Sequence, residues 1–458
     1  MVCYNVNVDI KNKPVLDPEF APLLKFNQAF LAGAKKPVSI AVERADKQMA
    51  TTHTFIYGTP EMAAADNYYI DRLVKTLLWM KGGFRVYVTD KNVYDYLNSV
   101  YCAGGAREFD WDYMANVFEN PFEIVLCDEV PENMDLPVSI GGHLEGCRIG
   151  FDAGGSDRKV SAVIDGETVY SEEVVWYPKV TADPDYHYDG IVSAFKSAAE
   201  HMPRVDAVGI SSAGIFIKDR TMAASLFLAV PKDQFDAKVK DIYIRAVKDT
   251  FGDIPYAVAN DGDVSALAGT MSLNDNNVLG IAMGTSEAVG YIDANGNVTG
   301  WLNELAFCPV DANPEAMQDE WSGDIGTGCK YFSQDSVIKL APRAGIELDL
   351  SEPPAKNLKI VQGLMEADDE RAAKVFYDIG VYLGHTLPYY FDNYGFKYVL
   401  LLGRVMSGKG GDLLLETCKK VLEEEYPEVN AAIQLTLPDE KFRRVGQSMA
   451  AASLPASK

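Results

Sequence analysis

The chain opens on two kinds of apolar spacing. In "PVSIAVER" and "FRVYVTD" alternate residues are apolar, the period of a half-buried strand. In "DNYYIDRLVKTLLWMKGG", Ile70, Leu73, Val74, Leu77 and Leu78 recur at spacings of three and four. That pattern predicts a core-facing helix from Asp66, stopped by Gly82 and Gly83. The stretch "YCAGGAREFDWDY" reads equally well as a turn with surface packing or as the lining of a site. Periodicity then lapses in "CDEVPENMDLPVSIGGHLEG", where acidic residues, Pro and Gly cluster. Residues 1–130 therefore read as a small N-terminal α/β or α+β domain of unread purpose, and 131–146 as a linker.

Beyond the linker the pattern runs twice. Three strands, "CRIGFDA", "KVSAVIDG" and "ETVYSEEVVW", precede a helix in "YDGIVSAFKSAAEHM" and a strand in "VDAVGIS". A helix over 234–251, with Phe235, Val239, Ile242 and Ala246 on one face, leads to the strand "PYAVAN" and the helix "DVSALAGTM". The second round has strands in "NNVLGIAMG", "EAVGYIDA" and "GNVTGWL", then helix, the strand "KYVLLLG" and the helix "GGDLLLETCKKVLEEEY". Strands followed by alternating helices, repeated, predict two α/β lobes, 147–270 and 271–458, with a ligand between them.

Charge narrows the partners. Lys and Arg number 42 against 66 Asp and Glu, a net charge of −24. Nucleic acid and anionic lipid need clustered cations, so neither is an expected partner. Seven widely spaced cysteines form no CxxC, which suits a reducing cytoplasm rather than a disulfide framework. The start lacks the basic-then-apolar plan of a signal peptide, and no apolar run is long enough for a bilayer. The five histidines show no metal-ligand spacing, and neither GxSxG nor HExxH occurs.

Four stretches could carry chemistry. In "IGFDAGGSDRKVSAVID", a strand runs into Asp152 and a turn uses Gly154 and Gly155. Bare backbone there could approach an anion, with Ser156 adding a hydroxyl and Arg158 or Lys159 a charge. Asp152 could hold magnesium through water. A plain glycine hairpin fits this stretch equally well. "GIAMGTSEAVGY" could set Gly284, Thr285 and Ser286 opposite that turn. "LLLGRVMSGKGGDLLLE" places Gly403 and Gly408-Lys409 at P-loop spacing, but Gly410 stands where the magnesium-binding hydroxyl belongs. It is no P-loop, and either a nucleotide-contacting turn or an ordinary one. In "VANDGDVSALAG", Asn260 and Asp261 end a strand and open a helix. They are either helix caps, or a hydroxyl ligand and a base aimed into the cleft.

Taken in order, the four stretches resemble the ROK family of sugar kinases and regulators, within the actin-like, hexokinase and Hsp70 ATPase group. "GGSDRKV" resembles the hexokinase loop GGTNFRV, "PYAVANDGDVSALAG" the catalytic ND motif, and "VDAVGISSAG" the strand ending in a PG pair. "NVLGIAMGTSEAVGYIDANGNVTG" resembles the second phosphate stretch and "KYVLLLGRVMSGKGGDLLLE" the adenosine motif, after the helix "DIGVYLGHTL". The similarity spans about 147–455. It implies two RNase H-like lobes around a cleft, and ATP-dependent phosphorylation of a sugar or polyol with Mg²⁺. Asp261 would be the general base, Asn260 and Glu304 sugar ligands. Gly154, Gly155, Ser156, Lys159, Gly284, Thr285, Gly403 and Arg404 would meet the nucleotide, and Asp152 the magnesium. A homodimer is compatible with it.

The chain departs from the family at several positions. Phe307 replaces the histidine of the GExGH motif, and Tyr331 stands at a family glutamate. Only Cys329 is left of four zinc ligands, so no structural zinc is expected. Ser286, Ala288 and Val289 replace glycines, Glu287 adds a negative charge, and Arg404 replaces a glycine. These changes motivate a second expectation, a sugar-binding regulator with weak or no catalysis. No basic recognition-helix pattern precedes the lobes.

Overall fold

Strand Cys147–Ala153 is buried along its whole length at the centre of a five-stranded sheet. The sheet order is Tyr256–Asn260, Ala207–Ser212, Cys147–Ala153, Asp157–Ile164 and Glu167–Val175. The first three strands run parallel and the last two antiparallel, as in an RNase H-like lobe. The architecture comes from a computed structural model that describes residues 1–136 and 140–456. Residues 137–139 of the expected 131–146 linker lie outside the described residues.

The second lobe repeats the plan in a shorter form. Its sheet order is Glu287–Ile292, Val278–Met283, Tyr398–Leu402 and Gln434–Thr436, antiparallel for the first pair and parallel thereafter. The strand expected in "GNVTGWL" is reduced to one bridge between Ile292 and Val298. Gly296 and Gly300 flank it at positive φ, and Asp293 draws the amides of Asn295 and Asn297 into a turn, so no ladder can extend. The continuous helix expected over 234–251 is also divided, into Lys232–Gln234, a wide turn Phe235–Val239 and Ile242–Phe251. Here the Thr221 amide takes the Lys240 carbonyl at 2.8 Å, diverting it from the helical ladder.

The N-terminal segment builds a mixed four-stranded sheet, ordered Met49–Ile56, Lys36–Glu43, Arg85–Val88 and Glu123–Leu126. Strand Met49–Ile56 carries no clear apolar alternation, yet it pairs with Lys36–Glu43 along all eight residues of each. Helix Ala63–Lys81 starts three residues before Asp66, after a turn at Pro60–Met62, and ends where Gly82 turns to φ +89°. Its apolar face joins a core that runs without a break from Cys3 to Phe122 and on through 279–426. The N-terminal segment thus packs as a layer on the second lobe. The first lobe has its own core around Phe151, Phe195 and Tyr243.

Two close backbone approaches lock the lobes. Helix Asp261–Leu273, leaving the first lobe, lies so near strand Glu287–Ile292 that a Cβ on Gly290 would stand 2.1 Å from the Gly262 carbonyl group. The segment following Gly446 returns to the first sheet, where Cβ atoms on Gly150 and Gly209 would meet the Ser448 and Ala451 oxygens at 1.6 and 1.7 Å. Neither contact involves a movable side chain. Gly290→Ala should therefore lower stability by about 1–3 kcal/mol, read as a lower melting temperature. Gly363→Ala, in a helix with nothing near the added methyl, should instead raise it by about 0.5–1 kcal/mol. Equal melting temperatures for the two variants would contradict this packing.

Candidate active site

Asn260 ends a first-lobe strand and caps the following helix. Its Oδ1 accepts from the Gly262 amide at 2.7 Å and its Nδ2 donates to the Gly214 carbonyl at 2.8 Å. With both ends of the amide engaged, Asn260 is rigid. The same Gly262 amide donates to Asp261 Oδ1 at 3.0 Å. Burial raises the proton affinity of Asp261, opposed by that backbone bond and by the nearby Lys179 ammonium. Asp261 is thus a desolvated carboxyl held at the start of a helix, beside a cavity of about 640 Å³ between the lobes.

Asn260, Asp261, Thr285 and Glu304 all line that cavity. Glu304 is placed by the N-terminal segment. Of the last four carbonyls of helix Ala63–Lys81, Leu78 keeps its helical partner and the other three take partners from elsewhere. Leu78 accepts from Gly82 at 2.8 Å, Trp79 from Glu304 at 3.0 Å, Met80 from Asn303 at 3.0 Å and Lys81 from Arg44 at 3.4 Å. Burial, then Asp261 and Asp263, push the Glu304 carboxyl up to about 7. Behind it, Asn303 donates to Asp263 at 2.9 Å and accepts from the Tyr394 hydroxyl at 3.0 Å. Phe307 packs on Trp79 with ring centres 4.4 Å apart, while the Tyr331 hydroxyl donates to Asp311 at 2.6 Å, outside the cavity wall.

Around the first glycine turn, Asp152 is buried and accepts from the Ser211 hydroxyl at 2.7 Å. Burial pushes it up to about 6, with the Asp261 charge adding to the shift. Trp176 clamps the turn: its indole N–H donates to the Gly154 carbonyl at 2.7 Å and its amide to that of Ser156 at 3.1 Å. The Ser156 hydroxyl donates to Asp157 at 3.0 Å. Lys159 pairs across the hairpin with Asp152 but sends its ammonium toward Asp157 and Glu173, at 3.7 and 3.8 Å. Above Gly155 lies Lys179, which lines the cavity and carries no pattern that marks it in the sequence.

In the second glycine stretch, the Gly284 carbonyl accepts from the Gln334 amide at 2.9 Å, tying Thr285 and Ser286 to the helix that begins there. Gly403, at φ +94°, has no room for a side chain against the Met283 backbone, so the third stretch meets the second. Arg404 is exposed and outside the cavity. Glu287 is buried, its Oε1 accepting from the Tyr390 hydroxyl at 3.5 Å and its Oε2 unpartnered. Burial pushes it up to about 8.

The opposite wall is the loop carrying Asp319, Glu320 and Trp321, the last exposed at the cavity mouth. Cys329 lies there with its sulfur 3.5 Å from the Thr327 hydroxyl, and no cluster of three metal-ligating side chains occurs among the described residues. Charge fastens the loop. Buried Asp324 meets Arg72 at 2.8 Å, Lys75 at 3.2 Å and Arg107 at 2.7 Å. Burial opposes its ionised form, but Arg72 and Lys75 outweigh it and hold the carboxyl below its usual range. Tyr113 completes the wall from the N-terminal side. Of the two readings open for "YCAGGAREFDWDY", a surface turn or the lining of a site, Tyr113 falls on the cavity wall and Arg107 on the carboxyl that fastens its loop.

The two lobes and the cleft between them define an actin-like ATPase fold. Within it, the chain has the fold of the ROK proteins. It is similar to a ROK hexokinase from Thermus thermophilus, with 17% identity, a TM-score of 0.52 and coverage of 67% of this chain and 96% of that one. It is also similar to a ROK family transcriptional regulator homologous to the E. coli MLC protein, with 15% identity, a TM-score of 0.51 and coverage of 68% and 79%. No protein-family model and no curated protein matches the chain. Among the described residues, no helix is long and apolar enough to cross a membrane.

Carboxyls whose proton affinity rises on folding make the folded state bind more protons, so stability falls as pH increases. For Glu287 the window runs from the usual glutamate value of 4.5 to about 8. Glu287→Gln, which keeps the neutral shape, should melt close to the wild type at pH 4.5 and about 3–6 °C above it at pH 8.5. The same shift at both pH values would refute a titrating Glu287.

Proposed function

We propose that the chain is an ATP-dependent kinase of a sugar or related polyol. What carries the reading is the half-buried Asp261, raised in proton affinity, facing the same cavity as Glu304 and the Thr285 turn. A carboxyl tuned this way accepts a hydroxyl proton more readily than one in water. Glu304 accepts hydrogen bonds from neighbouring hydroxyls and orients the acceptor, and Trp321 offers an apolar face at the mouth. The rigid Asn260 keeps Asp261 in register with the cavity.

The residues present suit a nucleotide with magnesium. Asp152 keeps one oxygen clear of the Ser211 bond, and one or two carboxylates suffice for an ion that retains waters. The Gly154–Ser156 turn and Gly284–Thr285 would flank the phosphates, and the Gly403–Arg404 turn the nucleoside. Bound MgATP supplies the phosphoryl group and neutralises its charge. The residues of the chain position the acceptor, hold the cleft apart from water and take the proton at Asp261.

One observation favours a second reading. The buried Glu287, with Oε2 unpartnered, stands in the second glycine stretch, beside the turn where phosphate would lie. A sugar-binding regulator that no longer turns over would tolerate a buried carboxyl there.

A panel of hexoses and polyols with MgATP, followed by ADP release and by calorimetry, separates the readings. The kinase reading expects turnover on at least one sugar, and Asp261→Asn should lower kcat by about 10²–10⁴-fold with the melting temperature retained. Glu304→Gln should chiefly raise the sugar KM. Sugar binding without nucleotide binding would instead establish the regulator reading, and an Asp261→Asn variant with wild-type turnover would exclude Asp261 as the base.

A further inference from the structure

Lys179 occupies an unusual place for an exposed lysine. It sits in the short turn Pro178–Val180, directly after the Trp176 clamp on the glycine turn. The turn is well fastened: the Pro178 carbonyl lies 3.0 Å from His187 Nε2, and the Thr181 hydroxyl donates to the Tyr177 carbonyl at 2.6 Å. The side chain lies back over Gly155, where an added Cβ would stand 2.9 Å from its Cε and 3.2 Å from its Nζ. The missing side chain at 155 therefore makes room for Lys179, as well as for any ligand.

Its surroundings give the ammonium a task. Among the described residues the cavity wall holds the carboxyls of Asp261, Glu287, Glu304, Asp319, Glu320 and Asp335 against two cations, Lys179 and Lys330. Lys330 is taken up by Glu320 at 2.5 Å and Asp335 at 2.9 Å. Lys179 has no ion-pair partner among the described residues. Of the other cations beside the turn, Lys159 is drawn aside as above and Arg158 lies over the Trp176 ring at 5.9 Å, and neither lines the cavity. Lys179 is thus the available positive charge between the glycine turn and Asp261, and it is close enough to influence Asp261. An anion there would be pinned between turn amides and ammonium, next to the carboxyl that faces the acceptor.

We infer that Lys179 is a catalytic residue that binds the terminal phosphoryl group of a nucleoside triphosphate and neutralises the charge developing on it during transfer. The inference rests on the kinase reading for the transfer itself. Nucleotide binding tests the charge contact separately. A lysine suits the role as a compact charge that follows the moving group, and a donor aimed at developing charge is worth about 10²–10³ in rate.

The experiment compares wild type with Lys179→Met, Lys179→Arg and Gly155→Ala, whose methyl displaces the lysine. Calorimetry uses the magnesium complexes of a non-hydrolysable ATP analogue and of ADP, and kinetics use the sugar panel above. Lys179→Met should weaken the triphosphate by about 10–100-fold while leaving ADP within about twofold. Its kcat should fall by about 10²–10³-fold with the sugar KM within about threefold. Lys179→Arg should recover part of both losses, and Gly155→Ala should move the triphosphate-to-diphosphate affinity ratio the same way. A Lys179→Met variant with the wild-type ratio and wild-type kcat overturns the inference. A wild type that phosphorylates no sugar, yet loses its triphosphate preference in Lys179→Met, leaves the charge contact standing and rejects the kinase reading. A wild type that binds neither nucleotide overturns both.

Discussion

The contact between Gly262 and Gly290 is the constraint on which the arrangement of the cleft depends. Two main chains touch where the helix carrying Asp261 crosses the hairpin of the other lobe, with no side chain between them. Backbone packed on backbone cannot be relieved by a rotamer change, so sterics set the relative placement of Asp261 and the Thr285 turn. The Asn260 cap and the Asp263 bond to the Tyr291 amide at 3.0 Å fasten the same crossing by hydrogen bonds. Burial at this crossing also raises the proton affinities of Asp261 and Asp263. Packing and acid–base tuning have one origin here.

The N-terminal segment shapes the other side of the cavity. Its helix ends on the loop of Glu304, so two otherwise unsatisfied carbonyls, those of Trp79 and Met80, hold the amides of Glu304 and Asn303. Its Arg72, Lys75 and Arg107 converge on Asp324 of the facing loop. Such buried pairs add little net stability once desolvation is counted, but removing one partner strands a charge. They specify where the loop lies. Exposed pairs from Asp46 to Lys218 and from Glu119 to Arg220 and Lys240 reach the first lobe, and these are weak by comparison.

Legibility in the sequence followed the length over which a pattern could repeat. The first-lobe strands and the helix at Asp261 stood out because each has several apolar residues in register with its neighbours. "GNVTGWL" misled because two glycines and an Asp-centred turn outweigh three apolar residues. The helix over 234–251 misled because a hairpin amide, distant in sequence, takes one of its carbonyls. Met49–Ile56 was missed because Phe55 is exposed while Thr54 is buried, which breaks the apolar alternation, and pairing rather than patterning makes it a strand. Helix Ala63–Lys81 was read with one core face, yet Asp71, Arg72 and Lys75 on its polar face are buried too.

By itself the sequence determined two α/β lobes in series, a net negative surface, and the glycine and Asn-Asp stretches that lie at strand ends. These depend on local periodicity and turn chemistry, which neighbours along the chain decide. Tertiary structure alone decided that the N-terminal segment is a layer of the second lobe, that Glu304 hangs from the end of its helix, and that Lys179 lies over Gly155. Those facts rest on contacts between residues far apart in sequence, and no short-range pattern encodes a long-range distance. The same reason explains the raised proton affinity of Asp261: burial belongs to the folded whole, while the residue type belongs to the chain.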